Sequence, residues 1–185
     1  MSFFETFNNK IIKHDLINKY TYKNIKSIPK IKKITLSFDS CANINIQKFA
    51  TTLLALEIIA SKKSSITTAK SSNISLKIQK GQPVGCKVTL KKKIIHQFLN
   101  KLIIKMLPKL TNFVGIKVRA KTSTLSYRLL NKEIILEEFD NQYPLFANLP
   151  NLNVQISTTA KNDKELLFLI KSMKLPIYTK NLNKT

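Results

Sequence analysis

Between Ile58 and Lys132 the chain carries 17 basic residues and not one acid. A core cannot hold lysines without counter-charges, so every lysine in that stretch has to stay at the surface. The apolar residues threaded between them must therefore collect on one side of whatever elements form. Two-faced strands and helices satisfy that demand. In "VGCKVTLK", Val84, Cys86, Val88 and Leu90 oppose Lys87, Thr89 and Lys91. The same period of two runs through "IKKITLSF", where Ile34, Leu36 and Phe38 alternate with Lys33, Thr35 and Ser37.

Helical periods fill much of the rest. Phe4, Phe7, Ile11, Leu16 and Tyr20 predict a helix over Phe3 to Tyr20, and Pro29 breaks the pattern. Phe49, Leu53, Leu56 and Ala60 predict a second from Ile46 to Ala60, deeply packed because Glu57 is the only charge in its last three turns. In "KKIIHQFLNKLIIKMLP" the stripe Ile94, Ile95, Phe98, Leu99, Leu102, Ile103 and Met106 faces inward. Lys93, Lys101 and Lys105 line the outside, and Pro108 is expected to end the helix. A last helix begins after Asn162, its expected N-cap, has acids in its first turn, and stops before Pro176.

Further strands are expected at Leu125 to Leu130 and in "LNVQIST". Another is expected in "NISLKIQK", where Ile74, Leu76 and Ile78 share one side. Two of the chain's three glycines, Gly81 and Gly85, flank Pro83 between that run and the next strand, which reads as the corner of an antiparallel hairpin. The sum is an α+β fold: a largely antiparallel sheet with helices packed on one face, in a single domain. Its expected divisions are an N-terminal helical region (1–28), the α+β core (29–178) and a tail (179–185).

The net charge of +22, from 32 basic residues against 10 acids, needs a polyanion. Nucleic acid is the first candidate and an anionic membrane surface the rival. Only Arg119 and Arg128 are arginines. Lysine suits phosphates, whereas arginine's fork reads base edges, so the composition favours backbone and shape over sequence. An A+T-rich gene also favours lysine over arginine. The outward hydroxyls beside lysines suit phosphate and ribose oxygens, and the strands carry no paired aromatics for base stacking. The expected ligand is a folded, helical RNA.

Other chemistry is not signalled. Cys41 and Cys86 stand outside any metal-ligand cluster, Cys86 on an apolar side as a buried thiol, and His96 lies beside a core stripe as a structural histidine. No cofactor and no enzyme activity are expected. A membrane-bound protein is the alternative class, but the stripe from Ile94 to Met106 is needed by a core. No apolar run reaches the ~18 residues of a spanning helix. The first residues lack arginine and carry Glu5 and Asp15, unlike a targeting peptide, so either the chain is made where it works or a presequence has been removed. The acidic cluster Glu133, Glu137, Glu138 and Asp140 is either a solvated loop or a surface for a basic protein.

"IPKIKKITLSF", "ITTAK", "KIQKGQPVGCKVTL" and "NVQISTTAKNDKE", in this order and spacing, resemble the L-five family of large-subunit ribosomal proteins, over about Ile11 to Tyr178. The resemblance implies an α+β protein that holds 5S rRNA in the central protuberance of the large subunit, among large-subunit rRNA. It also implies approach to the P-site tRNA and a bridge to the small subunit. By position, Lys33, Ser37, Lys62 and Thr89 would face 5S rRNA, and Thr35, Lys87 and Lys91 join them on the polar strand face. The loop with Lys70, Ser71, Ser72, Lys77 and Lys80 would approach tRNA. Glu137, Glu138 and Asp140 would meet a basic small-subunit protein. The chain departs from the family at Ser37 (usually Asn) and Lys62 (usually Gln). "DSCA" replaces a Gly-x-Gly after the first strand, and "VRAKTST" replaces a glycine-rich stretch before "LSYRL". These departures resemble an organellar branch, with a mitochondrial ribosome first and a plastid or bacterial one as alternatives.

Overall fold

A computed structural model describes residues 3–38, 46–75, 77–109, 116–117, 119–121, 123–130, 139, 143–146 and 149–178. Its main element is a six-stranded, largely antiparallel sheet. The strands are β1 (Ile31–Phe38), β2 (Ser65–Thr68), β3 (Pro83–Leu90), β5 (Arg119–Lys121), β6 (Thr124–Leu129) and β7 (Leu152–Thr158), in spatial order β2-β3-β1-β7-β6-β5. A separate parallel pair joins β4 (Ile116–Lys117) to β8 (Ile177–Tyr178). The class is α+β, as the alternation implied.

The reason for the sheet is visible in its side chains. On β1, Ile34, Leu36 and Phe38 are buried while Lys33 is exposed and Thr35 and Ser37 are half-buried. On β3, Cys86, Val88 and Leu90 are buried and Lys87 is exposed. Leu125, Tyr127 and Leu129 repeat the pattern on β6, and Leu152, Val154 and Ile156 on β7. One face of each long strand is covered and the other is open. Covering about six such aliphatic side chains on β1 and β3 alone is worth on the order of 10 kcal/mol before chain entropy is counted.

The chain divides into two compact units, one of residues 1–34, 91–127 and 155–185, the other of residues 35–90 and 128–154. Strands β1, β6 and β7 each pass from one unit to the other. In the first unit, α1 (Phe3–Phe7), a π-turn (Asn8–Ile12) and α2 (Lys13–Lys19) form the expected N-terminal helical run, which gives way to extended backbone at Tyr20. The Tyr20 ring meets Phe168 edge-on at 5.9 Å, and the Lys19 ammonium stands 4.1 Å from the same ring, a cation–π contact. Phe168 belongs to α6 (Asp163–Ser172). Asn162 occupies the N-cap position of α6, but its side chain caps nothing; Glu165 instead accepts from the Lys161 amide at 3.3 Å. Helix α4 (Lys93–Lys101) widens into a second π-turn (Leu102–Met106) and then tightens into a 3-10 turn (Leu107–Lys109). Pro108 lies within that 3-10 turn, at the end of the described helical run.

The "TTAK" at Thr158 to Lys161 has a structural explanation. The Thr158 amide and hydroxyl both donate to the Ser123 carbonyl, at 2.8 and 3.0 Å. The Thr159 amide donates to the Lys30 carbonyl at 2.9 Å, and its hydroxyl accepts from the Lys30 amide at 3.0 Å. The end of β7 is thus tied to the segments entering β6 and β1.

In the second unit, α3 (Ile46–Ala60) has the expected bounds and packs on β3, burying Thr52, Ala55, Leu56, Ile59 and Ala60; α5 (Tyr143–Phe146) packs against α3. The hairpin is not built as the sequence implied. The partner of β3 is β2, the four residues "SITT", with Ser65 opposite Lys87, Ile66 opposite Cys86 and Thr67 opposite Gly85. Among the described residues of the expected strand at 74–78, Ile78 pairs with Asn73 in an isolated bridge and Ile74 is 94% exposed. Ile74 enters no covered side and Ile78 only half does, so the described residues of 69–82 form a finger beyond the sheet. Nor is "GQPVG" one corner. Gly81 takes a positive φ of 86°, a conformation that favours glycine, while Pro83 starts β3 and Gly85 lies within it. A Cβ at Gly85 would stand 3.3 Å from the Thr67 hydroxyl and 3.7 Å from the Phe38 carbonyl oxygen. Gly85 is there for close approach, and the register slips beside it, between Thr67 and Thr68.

Candidate nucleic-acid interface

The open face of β1 and β3 carries the residues singled out from the sequence. The two strands are neighbours, and on both the odd-numbered positions are the less buried ones: Lys33, Thr35 and Ser37 on β1, Lys87 and Thr89 on β3. Exposed Lys91 follows directly after β3. The stretch that supplies β3 contains no acid.

Lys62 is brought to β3 by a different route. It follows α3 in a turn where Ser61 takes a φ of 50°, and its ammonium donates to the Thr89 carbonyl oxygen at 2.7 Å. An ammonium has three protons to donate, so this bond fixes the charge and leaves capacity for anions. The turn itself is held by Glu57, whose carboxylate accepts from the Ser64 amide at 2.9 Å and the Ser64 hydroxyl at 3.0 Å. Those hydrogen bonds, helped by the nearby Lys63 charge, hold the Glu57 carboxyl below its ordinary value. The last acid before the basic stretch is thus engaged with its own turn.

Sequence reasoning missed several members of this surface. Ser65, opposite Lys87, donates its hydroxyl to the Lys87 carbonyl at 2.9 Å. Arg128 on β6 is exposed and donates from Nε to the Asn153 Oδ1 on neighbouring β7 at 3.0 Å. The signal was available: in "TLSYRL" the period of two already sends Ser126 and Arg128 outward. Ser65 gave no such signal, since four residues of hydroxyls and one isoleucine do not announce a strand.

Lys70, Ser71, Ser72, Lys77 and Lys80 are all exposed and all lie along the finger, outside the ladder of strands. Glu137, Glu138 and Asp140, like Cys41 and the rest of "DSCA", fall outside the described residues. Cys86 is buried as expected. His96 is half-buried on α4, and burial pushes its pKa below the ordinary value while Glu5 pulls the other way. Among the described residues no group of three or more His, Cys, Asp or Glu is placed to hold a metal ion, and no helix is long and apolar enough to cross a membrane.

Comparison with known proteins gives the family. Residues 83–177 match the family model of the ribosomal L5 C-terminus. Over 170 residues, 91% of this chain and 93% of the relative, the chain is 36% identical to large ribosomal subunit protein uL5 of Wigglesworthia glossinidia brevipalpis. This chain belongs to the uL5 family of large-subunit ribosomal proteins. Relatives span three settings. The plastid protein uL5c of Gracilaria tenuistipitata var. liui is 37% identical over 173 residues, covering 92% of this chain and 94% of its own. The mitochondrial protein uL5m of Reclinomonas americana is 33% identical over 170 residues, covering 91% and 93%. The resemblance read from the motifs is borne out over nearly the whole chain. The uL5 family is structural and non-enzymatic, so this member is a constituent of the large ribosomal subunit, associated with the ribosome and its RNA.

Proposed function

We propose that this uL5 protein holds 5S rRNA in the central protuberance through the open face of β1 and β3. Lys33, Lys62, Lys87 and Lys91 neutralise phosphates there, and Thr35, Ser37 and Thr89 bond phosphate and ribose oxygens. The observation that carries the proposal is the Lys62 ammonium seated on the Thr89 carbonyl at 2.7 Å. Two residues 27 positions apart, both assigned to the RNA by position, are joined by it, the ammonium of one on the backbone carbonyl of the other. The finger with Lys70, Ser71, Ser72, Lys77 and Lys80 is directed to the P-site tRNA. Glu137, Glu138 and Asp140 serve a basic small-subunit protein. The A+T-biased composition favours a mitochondrial ribosome over a plastid or bacterial one.

The test is 5S rRNA affinity across a salt series, in which log K falls by about 0.9 per phosphate neutralised on duplex. Lys87→Glu, an exposed position, is expected to fold normally, weaken binding at least tenfold at low salt and flatten the slope. Thr89→Ala is expected to weaken binding by a smaller factor with the slope unchanged. Normal 5S rRNA retention in particles carrying both changes defeats the assignment of this face. Co-fractionation of the protein with mitochondrial large subunits tests the compartment.

A further inference from the structure

The finger between β2 and β3 is braced by hydrogen bonds among its described residues. At its base the Ala69 amide donates to the Gln82 carbonyl at 2.9 Å and the Gly81 amide to the Ala69 carbonyl at 3.0 Å. Further out, Asn73 and Ile78 exchange amide-to-carbonyl bonds at 2.9 and 3.0 Å, and the Lys77 amide closes a turn on the Ile74 carbonyl at 3.1 Å. Between these two levels the Gln79 amide donates to the Gln82 side-chain carbonyl at 3.1 Å. At the end of this braced hairpin stands Ile74, with 94% of its surface in solvent. A β-branched side chain has little rotamer freedom, so Ile74 is presented in a nearly fixed attitude.

An isoleucine held out in this way by hydrogen bonds has no task inside the fold. What surrounds it on the chain selects its partner. Lys70, Lys77 and Lys80 are its charged neighbours, Ser71, Ser72 and Ser75 its hydroxyls, and no acid occurs from Ile58 to Lys132. A second copy of this basic chain is repelled. An A-form RNA stem offers complementary chemistry: a wide, shallow groove floored by ribose and base edges, displaying 2′-hydroxyls and rimmed by phosphates.

We infer that Ile74 is a groove-seating residue, which packs on the sugar and base edges of an RNA stem while the finger's lysines hold the phosphates at the rim. This rests on the proposed placement of the finger against tRNA and adds what that reading lacks, a salt-independent contact that distinguishes A-form RNA from B-form DNA. The deep, narrow minor groove of B-DNA does not admit the tip in the same way.

The full chain is titrated with a synthetic RNA stem-loop and with a DNA duplex of the same sequence, across a series of salt concentrations. Ile74→Ser, at a solvent-exposed position, is expected to weaken RNA binding about tenfold at every salt concentration, giving a parallel line, because the interaction it removes is apolar. Ile74→Leu retains binding, and DNA affinity is the same for all three proteins. The combined Lys70→Ala, Lys77→Ala and Lys80→Ala variant is expected to flatten the RNA salt slope. If that variant flattens the slope and Ile74→Ser binds like the parent, the finger still meets RNA and this inference alone is overturned. If neither changes RNA binding, the placement of the finger falls with it. An Ile74→Ser loss that is equal on DNA, or that appears only in binding to an acidic protein, also overturns the groove contact.

Discussion

The open sheet face and the finger are both built from lysines and hydroxyls, yet they are held in place by different means. On β1 and β3 every polar residue is positioned by an apolar neighbour on the covered side, so Thr35 is fixed by Ile34 and Leu36, and Thr89 by Val88 and Leu90. In the finger no described residue is buried at the tip, and the backbone bonds at Ala69, Asn73, Ile78 and Gly81 supply the order instead. The first region couples the placement of its polar side chains to the stability of the fold. The second separates them, which leaves its side chains free to be chosen for contact alone.

The sharpest way to break this contrast is to truncate one apolar residue in each region. Leu36→Ala removes a fully buried side chain and is expected to cost about 2–5 kcal/mol in chemical denaturation. Ile78→Ala, at the half-buried neck of the finger, is expected to cost less than about 1 kcal/mol. Equal losses would mean that the finger is part of the core after all. Glycines give a second, smaller comparison. Gly85→Val forces a branched side chain toward the Thr67 hydroxyl and the Phe38 carbonyl, with an expected cost of about 1–3 kcal/mol and a disturbed β2–β3 register. Gly81→Ala has open space around it and pays only for its φ of 86°, about 1 kcal/mol, visible as faster amide exchange confined to the finger.

Acid titration sharpens the same distinction with the smallest effect. His96 is held below its ordinary pKa of 6.5, so the unfolded chain binds the proton more readily than the folded one. Its contribution is present above 6.5 and is lost as the pH falls through 6.5 toward the folded value. The Glu57 carboxyl is also held low, so the stability it lends is present above its unfolded pKa and is lost only as pH drops further, through the folded value. The finger, residues 69–82, contains no acid or histidine. Melting temperature is expected to fall in two stages on acidification, the first reduced in His96→Gln and the second in Glu57→Gln. A single stage unaffected by either variant contradicts both assignments.

Legibility followed burial. Where a covered face exists, the apolar period identified it: alternation for β1 in "IKKITLSF" and β7 in "LNVQIST", and the helical period for α3 with its bounds from Ile46 to Ala60. The same alternation misled at Ile74 and Ile78, because period two states which side chains share a side and says nothing of whether that side is covered. Strand β2 was invisible for the converse reason; its four residues are assigned by pairing with β3 and carry little pattern of their own. The candidate face was legible at Lys33, Thr35, Ser37, Lys87 and Thr89, which strand period puts on one side of each strand and the pairing of β1 with β3 puts on one sheet. The Lys62–Thr89 bond was not, since a positive φ at Ser61 decides where that lysine points.

Strand β2 also bears on the life of the chain before assembly. It is the terminal strand of the sheet and it exposes Ile66, and a terminal strand is where another polypeptide can pair. Lys62, Lys63 and Lys70 bracket it, so newly made copies repel one another at the very edge where they would otherwise stack. Masking those three ammonium groups with a short, flexible polyanion would remove the protection without supplying a folded scaffold, and orphan molecules would then be lost to aggregation.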